Sequence, residues 1–455
     1  MLNIVVLAAG KGTRMKSSLP KVLHPVAGRS LLQHVLDTAR RLDHKPPINT
    51  VVGHGAEQIE ATLTAPDIRF ILQAEQLGTG HAVQQALPYI DASDTVLILY
   101  GDVPLIKEAT LSELAQCVSD NSLGLLTLHT NSPDGYGRIV RDEGGRVSAI
   151  VEQKDASREQ LTIKEVNTGV MAVAGVHLQR WLPQLSNGNA QGEYYLTDII
   201  ALAKADGVDV RTKQPAHEWE VLGINNRAQQ AELERIYQQE LARGFMEQGL
   251  SLTDPARFDC RGELRFGDDV KIDFNCLIEG QVTLGNNVYI APNCCLKNAS
   301  IGDNCVIKAN TIIEDATLAN GCEAGPFARL RPGTRLANGA KVGNFVEVKN
   351  ASLGEGSKAN HLTYLGDAQI GKNVNVGAGT ITCNYDGANK SKTEIGDEAF
   401  IGSNTALVAP VKVGKGATVG AGSTISRNVP DDQLAVARGE QRNIEGWKRP
   451  KKREK

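Results

Sequence analysis

Beyond residue 250 the chain sets an aliphatic side chain at nearly every sixth position. Ile278, Leu284, Ile290 and Leu296 open the series, Ile301, Ile307 and Ile313 continue it, and Ala324, Leu330, Leu336, Val342 and Val348 follow. It resumes as Ile395, Ile401, Leu407, Val413, Val419 and Ile425, with five-residue steps at 313 to 318 and 348 to 353. Four places after the aliphatic a small residue recurs: Val288, Thr311, Thr317, Ala328, Thr334, Ala340, Val346, Ser357, Thr363. Such a hexapeptide rhythm marks a parallel β-helix, in which three hexads close one triangular coil of roughly 18 residues around an aliphatic interior. Residues 249–455 are expected to form that solenoid. Cys294, Cys305 and Cys322 stand at the small position, so they read as inward packing groups rather than ligands or disulfides.

Residues 1–227 follow another pattern. Apolar strand-like runs alternate with helical spacing, which predicts an open, mainly parallel α/β sheet. Ile4 to Leu7 and Thr95 to Tyr100 read as buried strands. Over 228–248, Leu233, Ile236, Tyr237, Leu241 and Phe245 recur at helical intervals, so one connecting helix of about 30 Å joins the two parts.

The first strand runs into Leu7-Ala-Ala-Gly-Lys-Gly-Thr-Arg-Met15, followed by Pro20-Lys21. Glycines 10 and 12 let backbone N–H groups approach a bulky anion, and Arg14 and Lys21 add positive charge. Met15 stands where a dinucleotide fingerprint needs its third glycine, and no Gly-Lys-Ser/Thr follows, so neither common phosphate loop fits. A nucleoside triphosphate site remains. Gly101-Asp102 closes the Thr95–Tyr100 run, where open α/β sheets bind ligands.

With 455 residues, two or three domains are expected. A net charge of −3 gives no general pull towards nucleic acid or an anionic membrane. No apolar stretch approaches the roughly 20 residues of a membrane span. The first residues enter a strand directly, so no export signal is expected. Eight cysteines without a Cys-x-x-Cys pair suit a reducing cytoplasm.

The loop motif resembles the signature of sugar-nucleotide pyrophosphorylases, which join a nucleoside triphosphate to a sugar 1-phosphate. That resemblance implies a Rossmann-like nucleotidyltransferase domain. It implies that Leu7, Ala8, Ala9, Gly10, Arg14 and Lys21 hold the triphosphate, with Arg14 and Lys21 catalytic. Gln73, Gly78 and Thr79 would read uracil; Tyr100, Gly101 and Asp102 would hold nucleotide, with Asp102 and Asn225 as ligands of Mg2+. Gly137, Glu152 and Asn167 would hold the amino-sugar phosphate. Each has an ordinary alternative: Asp102 as a helix cap, Asn225 as a turn brace, Gln73 as a solvated strand residue.

In the β-helix, Arg331 follows the aliphatic of its hexad and Lys349 follows the aliphatic 18 residues on. They should stack about 4.8 Å apart, where like charges repel unless an anion lies between, so a phosphate site is expected. His361 is the only histidine after His217. Counting coils from it past the excursion 383–394 gives Ala378, Ser403 and Ala421, one straight stripe of small side chains about 14 Å long. Such a groove suits an extended thioester arm.

Arg329-Leu-Arg-Pro-Gly333, Asn360-His-Leu-Thr-Tyr-Leu-Gly-Asp367 and Thr382-Cys-Asn-Tyr-Asp-Gly387 extend the resemblance to the whole chain. The chain resembles the bifunctional bacterial family that combines N-acetylglucosamine-1-phosphate uridylyltransferase with glucosamine-1-phosphate acetyltransferase. The resemblance implies left-handed winding, a homotrimer, and UTP and acetyl-CoA as co-substrates in cell-wall precursor synthesis. It implies that His361 is the general base, that Arg331 and Lys349 hold phosphate, and that Tyr364 and Asn375 hold the sugar. Ala378, Asn384, Tyr385, Ser403, Ala421 and Arg438 would contact acetyl-CoA, and the basic tail 446–455 would close over its phosphates. The alternative is a single-activity pyrophosphorylase with a scaffolding β-helix. A zinc-dependent β-helix hydratase needs three histidines and is excluded by one. A non-catalytic nucleotide-binding module would bind UTP without releasing pyrophosphate.

Overall fold

The computed structural model describes every residue except 43–44, 64, 451 and 453–455, and divides into two compact units, Met1–Tyr237 and Gln238–Lys455. Part of the basic tail therefore lies outside the described residues.

In the first unit the main sheet runs in the order Asp209–Lys213, Ser122–His129, Glu165–Ala174, Thr95–Tyr100, Leu2–Ala8, Ile48–Val52, Ile68–Leu72. Along this path the pairings are parallel except the two that flank Glu165–Ala174; that strand also pairs antiparallel with Arg138–Arg141, which pairs antiparallel with Val147–Val151. Successive side chains of a strand point to opposite faces, so Val5 and Leu7 enter one apolar cluster while Ile4, Val6 and Ala8 enter the other. A strand buried on both faces reads as a continuous apolar run, which Ile4 to Leu7 is. Its carboxyl end opens directly into residues 9–16.

The connecting helix spans Arg227–Glu247. Within the second unit its last turns cover the first coil of the solenoid. Ala242 is buried with the solenoid core, and Phe245 meets Phe258 and Phe266 edge-on at 6.2 and 5.9 Å. Gln238 is fully buried and exchanges two hydrogen bonds with the Cys260 backbone, at 3.0 and 2.8 Å. The open edge of the first coil is thereby covered.

An eleven-strand parallel ladder makes one side of the solenoid, and a seventeen-strand array wraps the rest. Coils step by 18 residues where every hexad is complete, as at Glu323 and Lys341. They step by 17 where one hexad is a residue short, as at Lys341 and Lys358. The excursion 383–394 widens one step to 25, Asn375 to Phe400, yet the register beyond it is intact. The aliphatic interior is as expected: Ile278, Ile307, Leu330, Val348 and Ile401 are fully buried. Cys294, Cys305 and Cys322 point inward, and all eight cysteines are free thiols.

One expected interior residue is not inside. Thr317 is exposed, and Ala316 takes the small inward position. The step from Ile313 to Leu318 is five residues, so the turn is one residue shorter and the inward position moves back by one. Ala316→Leu should therefore lower stability by about 1–3 kcal/mol through overpacking. Thr317→Ala should stay within about 0.5 kcal/mol. Urea unfolding of the two variants measures both, and the reverse order would contradict the register.

Candidate active sites

A cavity of about 470 Å³ opens at the carboxyl ends of Leu2–Ala8 and Thr95–Tyr100. Leu7, Ala8, Ala9, Gly10, Lys21, Gln73, Gly78, Thr79, Tyr100 and Asp102 all line it. Gly12 holds φ +60° in the turn below, and a Cβ there would lie 2.5 Å from Lys21 Cβ, so only glycine lets the lysine stand where it does. Met15, in the place of a third glycine, is buried beside Leu31, Leu105 and Ile224 and anchors the far side of the loop.

Lys21 Nζ donates to Asp102 Oδ2 at 2.5 Å and to Asn225 Oδ1 at 3.2 Å, and Arg14 Nη2 donates to the same Asn225 oxygen at 3.0 Å. The backbone draws these segments together: Ile224 N donates to the Asp102 carbonyl at 2.9 Å, and Gly101 N to the Leu7 carbonyl at 2.9 Å. The ordinary alternatives fail on geometry. The helix after Asp102 starts at Glu108 and has Lys107 at its cap position. Asn225 aims its amide oxygen at two cations rather than at its own turn. Gln73 is 2 % exposed and donates to the Gly78 carbonyl at 3.2 Å.

Beside the cavity, Asn167 N donates to the Gly137 carbonyl at 2.8 Å, and Gly137 packs on Ile150 and Glu152. Glu152 accepts from Thr197 at 3.3 Å; burial raises its carboxyl pKa, and the carboxylates of Asp155 and Asp198 add to the rise. Burial likewise pushes the Tyr100 phenol up, reinforced by Glu152 and Asp102, so it stays a protonated donor. Lys11, inside the loop motif, and Gln76, three residues after Gln73, also line the cavity, as does Glu193, which had no sequence signal. Glu193 arrives because Tyr194 N donates to Leu77 O and Gly80 N to Tyr194 O, both at 2.8 Å, a pairing no local pattern announces.

On the solenoid, Leu330 pairs with Val348, so Arg331 and Lys349 occupy equivalent places on successive coils. They are not alike. Arg331 Nη1 donates to Glu347 Oε1 at 2.7 Å. Lys349 faces Lys390, from the excursion, and that ammonium, followed by desolvation and then by Arg331, holds the Lys349 pKa below its usual value. Asp367 lies one coil on. Burial opposes its charge, but amide donors from Asn350 and Asn384, both at 2.5 Å, and the charges of Lys390 and Lys349 hold its carboxyl low. Asn384 and Tyr385 thus sit at this edge, the Tyr385 hydroxyl donating to Gly387 O at 2.6 Å.

Lys358–His361 pairs with Asn375–Val376, and that strand with Phe400–Ile401 and then Thr418–Val419. His361, Ala378, Ser403 and Ala421 therefore form one column. Arg438 reaches its far end and donates to the Ala421 carbonyl at 2.6 Å. The corner beside the column adopts positive φ at every coil, through asparagine or glycine at 275, 293, 310, 379, 404 and 422. Phe327, Phe345 and Leu362 hold the same conformation at φ 57°, 58° and 44°, where bulky side chains are strained. That strain is confined to the coils flanking His361.

Tyr364 pairs with Glu347, on the face between that corner and the Lys349 edge. Asn375 lies apart, on the neighbouring face in line with Lys358 and Phe400. The chain thus brings the cations together at one edge and the imidazole column at the other.

Residues 4–249 match the MobA-like NTP transferase domain, 260–353 the GMPPB C-terminal domain, and 392–427 the bacterial transferase hexapeptide repeat. A relative named "Bifunctional protein GlmU" from Cellvibrio japonicus is 63 % identical over 99 % of both chains. The protein of the same name from Saccharophagus degradans is 60 % identical over the whole of both, and that from Marinobacter nauticus 59 % over 99 % of both. The chain belongs to the bifunctional GlmU family. Its hexapeptide solenoid is accordingly a left-handed parallel β-helix, and its first unit a nucleotidyltransferase fold. Among the described residues no helix is long and apolar enough to cross a membrane.

Glu152 gives a pH test of this site. Its folded pKa lies above the ordinary 4.5, so the unfolded chain releases the proton first and stability falls as pH rises through that window. Glu152→Gln should melt higher than the parent at pH 7, with the difference fading towards pH 4.5. Calorimetry across that range reads it; a pH-independent difference would contradict the burial argument.

Proposed function

We propose that the chain acetylates glucosamine 1-phosphate with acetyl-CoA on its β-helix, then couples the N-acetylated product to UTP in its first unit. The products are UDP-N-acetylglucosamine and pyrophosphate. The observation that carries the acetyl half is the column: at the corner where the Lys358–His361 ladder ends, an imidazole opens a straight run of small side chains, and the Tyr364 face that starts there gathers cations at its far edge. From His361 to Gly366 the chain spans five residues, at most about 17 Å, and long cationic side chains shorten that reach. A sugar lying across Tyr364 would then present its amine to His361 and its phosphate to Lys349, Lys390 and Arg331.

His361 takes a proton from the substrate ammonium, because only the neutral amine attacks a thioester. The nitrogen lone pair attacks the acetyl carbon, the C–S bond breaks, and CoA leaves as the thiolate, which takes the second proton that the nitrogen gives up as the amide forms. The arm of acetyl-CoA lies along Ala378, Ser403 and Ala421, with Arg438 at the far end. Asn384 and Tyr385 stand at the cation edge, and Asn375 on the adjoining face, so these three serve a site completed by a neighbouring copy in a homotrimer. Positions 1–227 carry the nucleotidyl site, 228–248 the link and 249–455 the acetyl site.

In the first unit the sugar phosphate oxygen is already ionised and needs no base. It attacks the α-phosphorus, and the bond to the bridging oxygen breaks to release pyrophosphate. Lys21 and Arg14 neutralise the triphosphate, while Gln73, Gly78 and Thr79 hold the base. Asp102 and Asn225 suit Mg2+, since their oxygens already converge on a single cation and magnesium prefers one or two protein oxygens plus phosphate. When bound, the ion would offset the charge developing on the phosphates. The free thiols suit a reducing, cytoplasmic setting.

His361→Ala should lower acetyl transfer about 10²- to 10⁴-fold and leave uridylyl transfer unchanged. Asp102→Asn should lower uridylyl transfer about 100-fold or more and spare acetylation. Mass analysis of products from acetyl-CoA, UTP, Mg2+ and a panel of sugar 1-phosphates measures both. Loss of both activities in either variant, or of neither, would refute the division.

A further inference from the structure

On the face that carries His361 most paired strands are two residues long, such as Tyr289–Ile290, Val306–Ile307 and Glu323–Ala324. One pair is longer. Lys341–Asn344 and Lys358–His361 run for four residues, and their register continues to Asn344 opposite His361. The extension needs Gly343, because a Cβ there would lie 1.9 Å from the Asn360 carbonyl oxygen. The chain therefore extends its strand pairing, on this face, at the rung that seats the imidazole. Two further ties hold the same rung: Leu362 N donates to the Asn344 carbonyl at 3.1 Å, and Thr363 Oγ1 donates to the His361 carbonyl at 2.7 Å.

The consequence is a side-chain contact. Asn344 Oδ1 lies 3.1 Å from His361 Nδ1. An amide oxygen only accepts, so Nδ1 carries the hydrogen and the free lone pair is on Nε2. We infer that Asn344 is the positioning residue of the acetyl-transfer base: it fixes the imidazole tautomer and aims Nε2 at the substrate amine. The assignment rests on the acetyl-transfer role of His361 proposed above. A histidine base is commonly oriented through the hydrogen bond of its other nitrogen. Here a neutral amide serves, supplied by the coil beneath rather than by a distant loop. The amide orients the imidazole without itself adding a negative charge that would favour the protonated, non-basic form.

Asn344→Ala should lower kcat for acetyl transfer about tenfold or more, with KM for both substrates nearly unchanged. Asn344→Asp keeps the acceptor and should recover most of that loss. Its carboxylate also stabilises the imidazolium, so the acidic limb of the kcat profile should move up by about one pH unit. A merely structural residue would give no such movement. The inference is overturned if Asn344→Ala keeps parental kcat, or if Asn344→Asp falls as far as Asn344→Ala with its acidic limb unmoved. His361→Ala in parallel separates the two levels. Acetylation that survives His361→Ala refutes the base itself, whereas acetylation lost there but kept in Asn344→Ala refutes only the positioning role.

Discussion

Backbone hydrogen bonds between successive coils set the position of every outward side chain on the β-helix. Each coil is bound to the next through parallel pairs such as Leu330 with Val348 and Val348 with Leu365, and their interior partners are fully buried. A slip of one residue would turn every aliphatic outward, so the register is enforced by the whole core rather than by any single contact. Interior hydroxyls add to it: Thr334, Thr363 and Thr380 each donate to a carbonyl at 2.7 Å. The surface inherits this regularity, and a chemical group placed once is held at a fixed height above its neighbours.

The first unit relies on a different constraint. There the strands deliver Leu7, Tyr100 and Asp102 to one rim, and opposed charges hold the loops above it. Lys21 and Arg14 converge on Asp102 and Asn225, so the loop proposed to receive a triphosphate is kept in shape by the groups that would hold a cation. Around them burial works against charge, raising Glu152 and Tyr100. A folded structure keeps such costs where binding needs them.

Periodicity made the solenoid legible, because each interior residue repeats the one before. It also allowed His361, Ala378, Ser403 and Ala421 to be aligned across a 25-residue step. It misplaced Thr317, since a short hexad shifts the inward position and only the backbone path shows where the residue was lost. Lys390 was invisible for a related reason: it belongs to the excursion, which has no repeat, and returns beside Lys349 by folding. Glu347, the partner of Arg331, was within reach of the same counting, but two cations drew the reading towards an anion from outside. Asn344 stands one coil below His361 and was equally countable; its role lay in hydrogen-bond direction, which spacing alone does not encode.

The central claim is that this column is the seat of the acyl donor. A structure of the protein with acetyl-CoA bound tests it most directly. The thioester arm should run past Ala421, Ser403 and Ala378, with its acetyl carbon next to the His361 ring. An arm lying on another face of the prism, away from that ring, would contradict it.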